Sequence, residues 1–122
     1  MSKFINLTPH AVRLRTDAAN TAPTAAESDI IIASSGVARV ATTPGKEIGS
    51  ADGVALYGRT VFGEVEGLPA PAPGTIFIVS ALVAGRVTGR DDVFAPGTGP
   101  KDGAVRDEKG QIYAVTRLVQ AG

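Results

Sequence analysis

The chain contains no cysteine and no tryptophan, and only one of its 122 residues is a histidine. Without cysteine, it cannot use a thiol nucleophile, an iron–sulfur cluster or a disulfide scaffold. A single histidine cannot supply a zinc site built from several histidines. The 12 Lys and Arg residues balance the 12 Asp and Glu residues. This zero net charge argues against a dedicated nucleic-acid binder, which usually carries a basic stripe.

Long hydrophobic runs are also missing. The longest apolar stretch, residues 76–87, is broken by Ser80, Gly85 and Arg86 and is too short to span a bilayer. No basic-then-apolar signal opens the chain. We therefore expect no membrane association, and the default compartment is the cytoplasm of the host cell.

Glycine and proline are abundant, with 15 and 8 residues, and the apolar residues form short runs rich in Val, Ile and Ala. Such runs, separated by turn residues, are typical of strands, whereas a long amphipathic helix needs continuous 3.6-residue periodicity. The sequence therefore predicts a single all-β domain over residues 1–122. We expect a mostly antiparallel sandwich or a partly closed barrel with one short helix.

Individual segments refine this expectation. The patterns predict eight or nine strands, with hairpins formed by residues 4–8 and 11–15, by residues 29–33 and 37–41, and around Gly110. Residues 54–57 and 61–65 are further strands, and residues 75–79 form a central strand because residues 76–79 are an apolar run without alternation. Ser80 can cap a short helix over residues 81–86. Residues 16–28, 43–53 and 89–103 are interpreted as loops.

Charged side chains are concentrated in the C-terminal half, and this cluster is the candidate ligand site. Arginine forks suit phosphate groups, and aspartate suits ribose or base donors. The alternative is a salt-bridge network that only fixes the long loop. His10 is a further candidate for contact with the ligand, although a histidine at a hairpin corner after a proline more often has a structural role, in which it hydrogen-bonds to the backbone. The candidate ligand-binding residues are Arg86, Arg90, Asp91, Asp92, Lys101, Arg106 and His10.

No catalytic constellation is evident. No serine lies in a G-x-S-x-G elbow that could make His10 part of a triad. Glu64 and Glu66 face one side of a strand, where a solvated surface is the simpler interpretation of the pair. The glycine-rich segment 97–103 lacks the Gly-Lys-Ser/Thr run of a phosphate loop. We therefore predict that the protein is not an enzyme and has no catalytic residues, metal site or cofactor.

The segment N-L-T-P-H-A-V occupies residues 6–12, and F-G-E-V-E-G-L-P occupies residues 62–69. In these segments the chain resembles small proteins encoded by phages, prophages and bacteria. The similarity covers most of the chain apart from residues 16–28, and it implies a phage-related setting without an activity. Residues 99–103 are a departure, because the similar proteins often have a shorter loop there. Further similar segments lie at residues 78–83, 90–93, 95–97 and 105–107.

Two functions are therefore hypotheses. The first is a non-enzymatic phage accessory protein that sequesters a small anionic ligand, such as a nucleotide-derived immune signal, in counter-defence. The second is a virion structural component, for example a capsid decoration protein whose partners are capsid proteins. In addition, the sequence predicts a homo-oligomer, most simply a two-fold dimer, because unpaired strand edges invite association.

Overall fold

Short strands dominate the fold, which is known from a computed structural model that describes residues 3–121. The described residues form twelve strands and one helix, in several sheets of which none closes into a barrel. The all-β class predicted from the sequence is thus confirmed. In chain order the elements are β1 Lys3–Asn6, β2 Val12–Leu14, β3 Ile30–Ile32, β4 Arg39–Thr43, β5 Glu47–Ala51, β6 Val54–Tyr57, β7 Val61–Glu66, β8 Thr75–Ile78, α1 Ala81–Ala84, β9 Val93–Pro96, β10 Val105–Arg106, β11 Ile112–Ala114 and β12 Leu118–Gln120.

The largest sheet has four strands in the order β1-β8-β9-β12. Strand β8 is central, as its apolar run predicts, and Phe77 and Ile78 are almost completely buried. Only the β9–β12 pair is antiparallel, whereas β1 and β9 both run parallel to β8. Over the described residues five of the seven strand pairs are antiparallel, as expected. The two parallel pairs involve β8, because β1 joins it from the other end of the chain and the connection to β9 crosses over through α1.

Alternating residues divide this sheet into two faces, because successive side chains of a strand point to opposite sides. On one side, Phe77, Val79 and Val93 pack with Val83 of α1 in the main core cluster. We call this side the helix face. On the other side, Ile78 packs with Val12 and Val115 in a smaller cluster, to which Phe4 and Leu118 are added at the margin. We call this side the cavity face.

Helix α1 is a single turn that follows the central strand directly. The Ser80 hydroxyl accepts a hydrogen bond from the Val83 backbone N–H at 3.4 Å, as an N-cap residue does. The helix ends at Gly85, so the predicted helix is confirmed but is shorter than residues 81–86. Val83 and Ala84 are its buried residues, and they cover the helix face of the sheet.

The two N-terminal hairpins predicted from the sequence are wrong. Strand β1 pairs in parallel with β8, and β2 pairs with β3 instead of with β1. Strand β4 pairs with β7 rather than with β3. In each case the strand pairs with one farther along the chain, and tertiary packing overrides the short connection that favours a local hairpin.

The C-terminal hairpin around Gly110 is confirmed. Strands β10 and β11 are antiparallel, and Gly110 has a φ of 78°, which favours glycine. The segment expected to be a loop, residues 89–103, contains β9, whose alternating residues Val93 and Ala95 are buried. The other additional strands are β5 and β12, which raise the number from the predicted eight or nine to twelve within the described residues.

A long two-stranded ribbon, residues 39–66, extends from the body, and we call it the arm. Its base is the β4–β7 pair, where Val40 and Val65 pack into the core of the helix face. A bulge in this pair puts Phe62 on the same face as Val65, because two residues of β7 lie opposite Ala41. Beyond residues 44–46 the arm continues as the β5–β6 pair. We call residues 47–57 the distal hairpin.

Candidate functional site

The segment N-L-T-P-H forms a hydrogen-bonded corner around a fully buried amide. Asn6 Nδ2 donates to the His10 and Ile32 carbonyls at 2.8 and 3.0 Å, and Asn6 Oδ1 accepts from the Thr8 backbone N–H at 2.9 Å. Ser34 Oγ donates to the Thr8 carbonyl at 2.6 Å. His10 itself is exposed and contributes its backbone carbonyl. The corner therefore has a structural arrangement in which the imidazole takes no part.

Arg15 is the most deeply buried charged side chain, and it fixes the loop of residues 16–28. Its five N–H donors are all engaged, two by the Asp29 carboxylate and three by loop carbonyls. Asp29 also accepts from Arg13 at 3.0 Å. The hydrogen bond from Arg15 lowers the pKa of Asp29 from 3.8 to about 2, although burial acts in the opposite direction. The carboxylate thus stays ionised at neutral pH and leaves Arg15 with no donor for a ligand.

Within the predicted charged cluster, Arg90 and Asp92 form a bidentate ion pair. The Nε–Oδ1 and Nη2–Oδ2 distances are 2.8 and 3.0 Å, and Nη2 also donates to the Pro69 carbonyl at 3.0 Å. This hydrogen bond lowers the pKa of Asp92 and raises that of Arg90. The Arg90 guanidinium lies 5.8 Å from the centre of the Phe77 ring. The pair therefore anchors the segment before β9 to the body.

The other predicted cations point to separate places. Arg106 donates to the Thr98 carbonyl at 2.9 Å and to the Gly110 carbonyl at 3.0 Å. The Arg86 guanidinium lies over the Phe62 ring of the arm, 4.4 Å from its centre. Lys101 is exposed in the loop after β9. These contacts hold local segments together, so Arg86, Arg90 and Arg106 are each engaged with different parts of the chain.

A shallow depression brings three of the predicted residues together. It has a volume of about 280 Å³ and is lined by Arg90, Asp91 and Asp92 with Pro71 and Gly89. Asp91 is exposed, and its backbone carbonyl accepts from Gln120 at 3.0 Å. The depression contains two carboxylates and one arginine, so its charge is a poor match for an anionic ligand. Arg86, Lys101, Arg106 and His10 do not line this depression.

A larger and more apolar cavity opens on the cavity face of the sheet. Its volume is about 370 Å³, within the range of small-molecule pockets. The floor is formed by one residue from each strand of the sheet, and the rim carries threonines and Arg117. The apolar lining residues are Phe4, Leu14, Ile30, Ile76, Phe94 and Leu118.

The distal hairpin is the most exposed part of the fold. All residues of β5 and β6 are exposed, and these two strands contact each other without a comparable contact to any other described element. Ile48, Val54, Leu56 and Tyr57 are between 44% and 73% exposed. Val54 and Leu56 lie on one side of the hairpin and Tyr57 on the other, and several large apolar side chains exposed on one small element are typical of an interaction site.

Sequence reasoning missed this hairpin by interpreting residues 43–53 as a polar loop. The missed signal is Asp52-Gly53 between two strands, because both residues have positive φ angles, 51° and 81°, as a type I′ turn requires. The apolar cavity could not be found from the sequence, since its residues come from six strands and belong together only after folding.

Comparisons with family models, curated proteins and solved structures found no match to this chain. Within residues 3–121, no helix has the length and apolar character needed to cross a membrane. The same residues contain no group of three or more His, Asp or Glu side chains that could hold a metal ion.

Proposed function

We propose that this chain is a structural subunit of a protein assembly and that the distal hairpin joins it to its neighbours. The observation that carries this proposal is the hairpin itself, in which four large apolar side chains face solvent on two strands without other support. Of the two hypotheses raised by the sequence, this is the structural one, with a capsid decoration protein as its example.

A partner would resolve two unfavourable features of the distal hairpin. A two-stranded hairpin is only marginally stable in water, and a third strand or an apolar packing surface is needed for independent stability. The β5–β6 pair also forms a two-stranded sheet, so the outer edges of both strands are unpaired. Unpaired strand edges favour association with other chains. Binding to a protein surface would cover the apolar side chains.

Hydrogen exchange at several protein concentrations tests this function directly. We expect the amides of β5 and β6 to exchange rapidly in dilute protein and to become at least tenfold more protected as the protein associates. The β10–β11 hairpin is the internal control, because it is also a two-stranded sheet but contacts β2 of the body. Rapid exchange of the distal hairpin at every concentration, with the mass of a monomer, would contradict self-assembly.

The virion setting has a separate test. If the assembly is a phage particle, mass spectrometry of particles purified from infected cells should detect the chain in a fixed ratio to the major capsid protein. A variant with Val54→Lys and Leu56→Lys should be lost from the particles, whereas Leu82→Lys, which changes an exposed leucine of α1, should be retained. Absence of the wild-type chain from the particles would exclude the virion role.

Sequestration of a small anionic ligand is the second proposal, and its support is a single donor, the Arg90 Nη1, which makes no hydrogen bond to a described residue and would have to outweigh the two carboxylates of the depression. A ligand at about a hundred times its Kd should stabilise the fold by about 2.7 kcal/mol. ATP and a cyclic dinucleotide are suitable probes in thermal melts. Arg90→Ala should weaken binding about 10- to 100-fold and also lower Tm, whereas Asp92→Asn breaks the same ion pair but keeps the guanidinium and should retain binding. If Arg90→Ala has a lower Tm and neither probe raises the Tm of the wild type, the role of Arg90 is purely structural.

A further inference from the structure

The distal hairpin and the apolar cavity are complementary surfaces on the same chain. We propose that the distal hairpin of one copy binds in the cavity of the next copy, so that copies associate head to tail. This inference rests on the proposed assembly function and identifies its partner as a second copy of the chain. It assigns the hairpin as the donor and the cavity as the acceptor.

The apolar surfaces match in chemistry. The cross-strand pairs Gly49–Leu56 and Ala51–Val54 put two large apolar side chains and two small residues on one side of the hairpin. The cavity offers an apolar floor that the described residues leave open, with Ile30 at its margin 42% exposed. Burying the Val54 and Leu56 side chains there removes apolar area from water on both partners.

The charges are complementary as well. Residues 47–57 contain two carboxylates, Glu47 and Asp52, and no Lys or Arg. The cavity lining contains Arg15 and Arg117 but no Asp or Glu. Arg15 is saturated by Asp29 and the loop carbonyls, whereas the Arg117 guanidinium makes no ion pair within residues 3–121. Glu47 is the partner of Tyr57 and lies on the side away from Val54 and Leu56, so Asp52 at the turn is the carboxylate whose charge complements Arg117 on the rim of the cavity.

The topology prevents a chain from filling its own cavity. The base of the arm packs on the helix face through Val40 and Val65. The cavity lies on the opposite face of the same sheet, where Phe4 and Ile76 are register partners and Phe94 is the partner of Ile78. Donor and acceptor on opposite faces favour a heterologous contact, which repeats into a ring or a filament. This arrangement differs from the two-fold dimer expected from the sequence.

Two matched variants separate the donor from the acceptor. Val54→Lys with Leu56→Lys alters the hairpin, and Ile30→Lys alters the cavity margin. All three positions are exposed, so both variants should keep the Tm of the wild type. Leu82→Lys is the control, because it adds the same charge as Ile30→Lys, and half that of the hairpin variant, at an exposed apolar position outside both surfaces.

Sedimentation velocity and light scattering then measure the assembly. We expect wild-type protein and Leu82→Lys to form species of three or more copies, and each of the other two variants to be monomeric with at least 30-fold weaker self-association. An equimolar mixture of these two variants should give a 1:1 dimer, because one intact hairpin then meets one intact cavity. This dimer has twice the chain mass of 12.4 kDa and cannot extend.

Other outcomes overturn the inference in distinguishable ways. If Ile30→Lys assembles like the wild type while the hairpin variant is monomeric, hairpins pair with one another. The assembly function then stands and the cavity has no part in it. A wild-type species of only two copies contradicts the head-to-tail arrangement. If the wild type is monomeric at every concentration and joins no other protein, the assembly function itself is wrong.

Discussion

The guanidinium of Arg15 and the carboxylate of Asp29 form an ion pair from which water is excluded. Nε lies 2.8 Å from Oδ1, and the two side chains are 0% and 1% exposed. Three loop carbonyls, those of Asn20, Ala22 and Thr24, accept the remaining Arg15 donors. A loop without secondary structure is therefore ordered by one side chain that replaces the missing backbone hydrogen bonds.

Arg15→Lys should destabilise the protein strongly. A lysine has three donors on a single nitrogen and cannot satisfy both Asp29 oxygens and three loop carbonyls, so buried acceptors lose their partners. We expect Tm to fall by about 10 °C or more and the loop of residues 16–28 to become sensitive to proteolysis. Arg13→Lys is the matched control, because Arg13 contacts the same carboxylate but is 23% exposed. Equal effects of the two changes would contradict a special role for Arg15.

Asp29 should make stability depend on pH in the acid range. Its pKa in the folded protein is about 2, below the ordinary value of about 3.9 for an unfolded chain. The ionised carboxylate therefore stabilises the fold fully above about pH 4 and loses this contribution as the pH falls through about 2. In urea melts, the difference in the free energy of unfolding between wild type and Asp29→Asn should be constant near neutral pH and should become smaller towards pH 2.

Asp92→Asn provides a comparison for this pH dependence. The pKa of Asp92 is lowered by the hydrogen bond from Arg90, so the sign is the same, but its side chain is 20% exposed. We expect the difference in the free energy of unfolding between wild type and Asp92→Asn to be smaller than for Asp29→Asn, and also to decrease towards low pH. A difference for Asp29→Asn that persists unchanged down to pH 2 would show that its carboxylate is not the titrating group.

The fold class was predictable because it depends on local patterns. Short Val- and Ile-rich runs, glycine turns and the cap at Ser80 each specify an element without distant information. Strand pairing was less predictable, since the partners in β1 and β8, from Lys3–Thr75 onward, are 72 positions apart in the sequence, with no local signal that connects them. Hydrophobic periodicity and turn residues determine which strands and helices form, whereas the choice of a pairing partner for each strand depends on the packing of the whole core.

The site was harder to predict because residue type does not reveal how a side chain is used. The guanidinium groups of Arg90 and Arg106 are of the type that binds anions. In the fold, however, Arg90 donates to the Asp92 carboxylate and Arg106 donates to backbone carbonyls. Strand alternation puts Arg13 and Arg15 on the side opposite Val12 and Leu14, a pattern typical of a solvent-facing side, although Arg15 is buried. The Asp52-Gly53 turn, by contrast, carries a signal that the sequence does display.

The buried amide of Asn6 should contribute more to stability than the neighbouring imidazole. Asn6→Ala removes the acceptor of the Thr8 N–H and the side-chain donor to the Ile32 carbonyl, while the His10 carbonyl keeps the Thr8 hydroxyl as a donor; each buried group left unpaired costs about 1–3 kcal/mol. His10→Ala should change the free energy of unfolding by less than about 0.5 kcal/mol, because the side chain is exposed. A larger loss for His10→Ala than for Asn6→Ala in urea melts would contradict this description of the corner.

Phe77 should be a principal contributor to the core of the helix face. It is 2% exposed, and its truncation to alanine should cost about 3–5 kcal/mol through lost burial and a residual cavity. Leu82→Ala is the control, because Leu82 is 52% exposed and alanine is a good helix former. Equilibrium urea unfolding measures both. A loss within about 1 kcal/mol for Phe77→Ala would show that the sheet tolerates the cavity and is not closely packed there.

The joint between the base of the arm and the distal hairpin depends on Gly45. A Cβ at this position would lie 2.2 Å from the Gly58 carbonyl oxygen, a contact that backbone atoms cannot accommodate without moving. Gly45→Ala should therefore break the 2.8 Å hydrogen bond from the Gly58 N–H to the Lys46 carbonyl and release the hairpin. Hydrogen exchange should become faster in residues 46–60, while the amides of β8 and β9 remain protected.

Gly58→Ala is the matched control for this joint. A Cβ there meets Ile48 Cγ2 at 3.5 Å, an ordinary van der Waals contact, so the ribbon should stay intact. If the distal hairpin carries the assembly, only Gly45→Ala should weaken association, because only it disturbs the geometry that presents Val54 and Leu56. Equal association of the two variants, with faster exchange in Gly45→Ala, would mean that a released hairpin still binds and that its fixed orientation is not needed.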